Sequence, residues 1–127
     1  MNKIVHKRFD IDVTGENQTF SKTFELDKDI VTVKGVGITS NRDDLVYARG
    51  EQRIEINREE FFPDNYESKR LMAGVNSDVN TRYYDLGNVS SGNKTIKVDY
   101  KDVPNELTLF RPHRVSYYFL CEKVEMQ

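Results

Sequence analysis

Apolar and polar residues alternate with a period of two along most of this chain, and no window carries convincing helical spacing. Successive side chains on a strand point to opposite faces, so this alternation describes strands with one face in a core and the other in water. "RFDIDVT" sets Phe9, Ile11 and Val13 against Arg8, Asp10 and Asp12. "TFSKTFEL" repeats the pattern with Phe20, Phe24 and Leu26, while the odd member, Lys22, signals a distortion or an exposed stretch. "IVTVKGVGI", "LVYAR", "RIEIN", "YESKRLM", "RYYDL", "TIKVDY", "LTLF" and a long "HRVSYYFLCEKV" complete the set. About ten short strands in one stretch of chain is the rhythm of a sandwich or barrel.

The punctuation agrees. "TGEN", "SNRDD", "ARGEQ", "PDN", "GVNSD", "SSGNK" and "VPNE" supply the Gly, Asn, Asp and Pro that turns require. Links this short join strands antiparallel, and an antiparallel sheet with one wet face covers its other face with a second sheet. Hydrophobic residues make up 37 % of the chain and charged residues 31 %, enough for a thin core between two layers. The expected fold is all-β: a single antiparallel β-sandwich domain over residues 1–127, of jelly-roll type, with an immunoglobulin-like sandwich as the alternative. The alternative lacks its usual supports, because the chain has no tryptophan and only one cysteine.

Charge and composition exclude several roles. Nineteen basic against 21 acidic side chains give a net charge of −2, which predicts no specific nucleic-acid partner. No apolar run approaches membrane-spanning length, so membrane insertion is not expected. Met1 is followed by the polar "NKIVHKRFD", without the apolar core of a secretory signal, which predicts synthesis in a cytoplasm and a reduced Cys121. Cys121 shares its alternating face with Val115, Tyr117 and Phe119, and reads as a small buried hydrophobe.

"GVGITS" at 35–40 follows an apolar strand, as a dinucleotide-binding turn would. That fingerprint needs a third glycine where Ser40 stands, and a helix starting there; "SNRDDLVYARG" shows no helical period. The glycines instead mark a bulge or a close approach within a strand. Strict alternation would put Val31, Val33, Gly35 and Gly37 on one face, with Ile30, Thr32, Lys34, Val36 and Ile38 on the other.

The chemistry-bearing residues are sparse. His6 and His113 are the only histidines, and neither has a second metal-type ligand two or four residues away, so no metal is expected. The pairs Asp10/Asp12, Asp27/Asp29, Asp43/Asp44 and Glu59/Glu60 read as solvated faces and turn caps in an acid-rich chain. "NRDD" has the hard oxygens that calcium prefers but not a full ligand set. No cofactor and no catalytic residue is assigned, and the chain is expected not to be an enzyme. Tyrosines are the one resource for binding sugars: in "RYYDL" and "VSYYFL" adjacent rings must point to opposite faces, leaving one of each pair accessible.

In size and strand rhythm the whole chain resembles the single-jelly-roll subunits that viruses use as shell components. Within "VKGVGITSNRDDLVYARGEQRIEINREEFFPDNYESKRLMAG", an alternating strand, a polar turn, "RG", "RIEIN" and an "FFP" corner are similar to small phage-borne β proteins. The likeness is to the penton-type or minor capsid proteins of tailless icosahedral bacteriophages. It implies a virion protein that forms a cyclic homo-oligomer, with a pentamer among the options, and docks to neighbouring capsid proteins. Interfaces then replace catalytic sites. "EEFFPDNY" places Phe61, Phe62 and Tyr66 in what reads as a corner, where they either plug the end of the sandwich or bury against a neighbour. "LFRPHR" offers Arg111, His113 and Arg114 to set register between subunits. A carbohydrate- or receptor-binding module, such as a phage spike, is the alternative function.

Overall fold

The computed structural model describes residues 2–57, 59–68, 71, 84–92 and 94–124. Within them lie eight strands and one helix: β1 (Asn2–Val13), β2 (Thr19–Glu25), β3 (Ile30–Ser40), α1 (Asp43–Arg49), β4 (Gly50–Ile56), β5 (Glu59–Glu67), β6 (Tyr84–Ser90), β7 (Thr95–Asp102) and β8 (His113–Val124). They form two four-stranded sheets in the orders β1-β8-β3-β6 and β2-β7-β4-β5, and every pairing is antiparallel. First pairs with last, second with seventh, third with sixth and fourth with fifth. This is one long hairpin wrapped on itself, the jelly-roll form of the β-sandwich.

The core follows from the alternation. Ile11, Val13, Val33, Val36, Ile38, Val115, Tyr117, Phe119 and Cys121 come from the first sheet, and Ile54, Ile56, Ile96, Val98 and Tyr100 from the second. Phe9 of β1 stacks on Phe24 of β2, ring centroids 4.5 Å apart and 15° from parallel, joining the two sheets along one side. Lys22 faces inward with Phe20 and Phe24, opposite Val98, yet stays exposed, and the register of β2 runs unbroken through it. An inward-pointing charge on an edge strand discourages a further strand from adding there. Of distortion and exposure, the two options at Lys22, the strand takes exposure.

Three expected strands or corners are corrected. "LVYAR" is helical, because Leu45, Val46 and Arg49, spaced i, i+1 and i+4, are the buried members, and Asp43 and Asp44 sit favourably in the first turn. "LTLF" is not a strand but part of the connection 103–112. "EEFFPDNY" is not a corner: β5 runs through it, with a register shift in which Phe62–Tyr66 lies against Ile54–Gln52. The side chains of Phe61, Phe62 and Tyr66, the "GVNSD" turn and Tyr83 lie outside the described residues.

The glycines of β3 do mark a bulge. Register shifts at 30–32 and 33–35 each insert one extra residue, so Ile30, Val33, Val36 and Ile38 all face inward. Gly35 and Gly37 turn to the outer face, opposite Leu120 and Tyr118, and the correction to strict alternation is Val33, which leaves their face for that of Ile30, Val36 and Ile38. A helix does begin three residues after Ser40, contrary to expectation. Its first turn carries two carboxylates, and β3 pairs only with antiparallel neighbours, so the phosphate-binding unit is still not built.

Candidate functional site

The inward files of β4 and β7 change character along their length. From one end they read Ile56, Ile54, Gln52, Gly50 and Ile96, Val98, Tyr100, Asp102, so an aliphatic core becomes polar toward the end that α1 covers. Arg49, the last residue of α1, enters this polar end with its side chain 1 % exposed and meets Asp102, whose side chain is 0 % exposed. Nε donates to Oδ1 at 2.9 Å and Nη2 to Oδ2 at 2.8 Å, a two-pronged, charge-assisted pair.

Two connections converge on that pair, beside the β3–β4 connection whose helix carries Arg49. From the β1–β2 connection, Glu16 accepts a hydrogen bond from Arg49 Nη2 at 3.2 Å, and the Asn17 amide donates to Asp102 Oδ2 at 2.9 Å. From the β7–β8 connection, the carbonyls of Asn105 and Thr108 accept from Arg49 Nη1, and the guanidinium lies 5.6 Å from the Phe110 ring centroid. The Val103 amide donates to the Arg49 carbonyl at 2.8 Å. Burial alone would raise the Asp102 pKa, but the Arg49 and Asn17 hydrogen bonds and the guanidinium charge together hold it below the ordinary carboxylate range.

The loop 103–112 owes its shape to the same network. Asn105 Oδ1 accepts from the amides of Leu107 at 2.8 Å and Thr108 at 3.2 Å, and Asn105 Nδ2 donates to the Ala48 carbonyl of α1. With these backbone groups taken, "LTLF" has no ladder to join, and Phe110 folds inward while Leu107 and Leu109 point out. Leu107 is 95 % exposed and Leu109 71 %; on α1, Tyr47 is 61 % exposed.

Other buried polar groups surround the pair. Ser68 Oγ donates to Gln52 Oε1, and a Cβ placed on Gly50 would lie 2.6 Å from the Tyr100 hydroxyl and 2.8 Å from Ser68 Oγ. The hydroxyls of Tyr100 and Tyr117 and Nε2 of His113 are buried without a hydrogen-bond partner among the described residues. Burial pushes the pKa of both tyrosines up, so they remain phenols.

The residues proposed as an interface separate in space and burial. His113, the first residue of β8, is buried, its Nδ1 2.7 Å from the Arg111 carbonyl and its ring edge-on to Phe110, so it packs the interior of this chain. Arg111 is exposed on the loop. Arg114 is half-buried, donating from Nε to Ser116 Oγ, which in turn donates to Asp10. Phe61, Phe62 and Tyr66 take backbone positions on β5 in the other sheet. Cys121 is buried with its thiol pushed up to about 11, chiefly by desolvation, a poor nucleophile. Of the adjacent tyrosines, Tyr117 enters the core and Tyr118 turns outward beneath the Arg8 guanidinium, 5.9 Å from its ring centroid.

Sequence reasoning missed Arg49 and Asp102. The signal was available for Asp102, which continues the file Ile96, Val98, Tyr100 at the same spacing; for Arg49 it was hidden in a helix read as a strand. Among the described residues no cluster of His, Cys, Asp and Glu could hold a metal ion, and no helix is long and apolar enough to cross a membrane. No family model, no curated protein and no solved structure matches this chain.

Proposed function

We propose that this chain is a structural subunit, not an enzyme, that works by self-assembly as a penton or other minor component of a viral shell and docks to a major shell protein. The supporting observation is a jelly-roll sandwich in which three connections at one end are locked together by Arg49 and Asp102, with Leu107 and Leu109 turned to solvent. A jelly roll alone does not choose between shells and lectins. The apolar display favours assembly: a chain with 37 % hydrophobic residues leaves two leucines and a tyrosine outside, on a loop and a helix that are hydrogen-bonded to each other.

A sugar-binding module is the second reading, favoured by the exposed rings of Tyr47 and Tyr84. Size-exclusion chromatography with light scattering separates the two. Assembly predicts a defined multiple of the protomer mass at micromolar concentration. A monomer at every concentration that binds a sugar with millimolar or tighter affinity would overturn the proposal.

A further inference from the structure

We infer that the tip of the 103–112 connection is a self-complementary contact for a second copy of this chain, anchored by Leu107 and Leu109 and oriented by Glu106 and Arg111. The inference rests on the reading of this chain as a self-assembling subunit and names one contact between copies: a self-complementary patch closes a two-fold pair, distinct from the head-to-tail contact that closes a ring. The loop sorts its apolar residues: Phe110 turns in over the Arg49 guanidinium, and the two leucines, spaced i and i+2, turn out. Nothing in the loop's own packing requires leucine at these positions, since the bonds that shape it come from Asn105, Arg49 and the backbone. The tip is therefore shaped by its own hydrogen bonds before any contact forms, which lowers the entropy lost on binding.

The charges at its margins indicate the occupant. Glu106 precedes the leucines and Arg111 follows them; both are exposed, and neither side chain has an ionic partner among the described residues. Two copies meeting at this tip bring the carboxylate of one to the guanidinium of the other while the leucines exclude water between them. Such a pair fixes orientation more than it adds affinity. Anionic lipid would meet Glu106 and a chain of net charge −2. A bilayer is thus the less favoured occupant.

The test uses the full chain. By sedimentation equilibrium, Glu106→Arg and Arg111→Glu should each weaken self-association by about tenfold or more, and the double exchange should restore it, with thermal melts unchanged throughout. Leu107→Cys, in a chain whose own cysteine is buried, should yield a disulfide-linked dimer under copper–phenanthroline oxidation. If wild-type protein assembles but Glu106→Arg, Arg111→Glu and Leu107→Asp all leave its mass unchanged, the contact lies elsewhere; this inference fails and the assembly reading stands. A wild-type monomer at all concentrations removes both. Binding of that monomer to phosphatidylcholine or phosphatidylserine vesicles, lost in Leu107→Asp, would make the tip a membrane anchor and also overturn the inference.

Discussion

Arg49 joins three parts of this molecule, because one guanidinium neutralises a buried carboxylate and bonds to a loop on either side of it. Removing one partner of a buried ion pair leaves the other charge uncompensated, at a cost of about 3–5 kcal/mol. Arg49→Met should therefore lower the urea midpoint sharply. Asp102 adds a pH signature: its folded pKa lies below the unfolded value near 3.9, so its contribution is complete above that value and is lost as pH falls through the folded one. In Asp102→Asn the acid limb of the stability profile should flatten. The unpartnered phenols behave oppositely. Tyr117 buries a hydroxyl with no partner among the described residues, so Tyr117→Phe should leave the melting temperature unchanged or raise it. A large drop would show that the hydroxyl is bonded.

Elements were legible in proportion to how strictly they keep period two. β7 and β8 read cleanly because every second residue is buried over most of their length. β3 did not, because two inserted residues shift the phase and bring Val33 and Val36 to the same face. α1 was missed because its buried face has a charged third member, Arg49, and a single turn or two leaves no period to detect. The 103–112 loop was misread because Leu107 and Leu109 look like alternating strand residues when both are exposed. The α1–β4 junction offers a test at this scale. Gly50 has ordinary extended dihedrals, yet a Cβ there would sit 2.6 Å from the Tyr100 hydroxyl and 2.7 Å from the Val46 carbonyl. Gly50→Ala should cost about 1–3 kcal/mol by overpacking, measured as a drop in the denaturation midpoint; a neutral result would mean that α1 is free to shift away.

For the whole molecule, the sandwich came from composition and rhythm, whereas the polar end could not, because it joins residues more than 50 positions apart through side chains. What that end achieves physically is a joined display: the β1–β2 connection, α1 and the β7–β8 connection are bonded to one another through Arg49 and Asp102, which predicts that they open together. Amide hydrogen exchange resolved over residues 102–110 measures this most directly. The bonds of Asp102, Val103, Leu107 and Thr108 predict slowed exchange at those amides in wild-type protein, and its loss in Arg49→Met while β7 and β8 stay protected. Exchange at the unprotected rate across 103–110 in the wild type would contradict the account, since the leucines would then ride on a loose loop and present no surface.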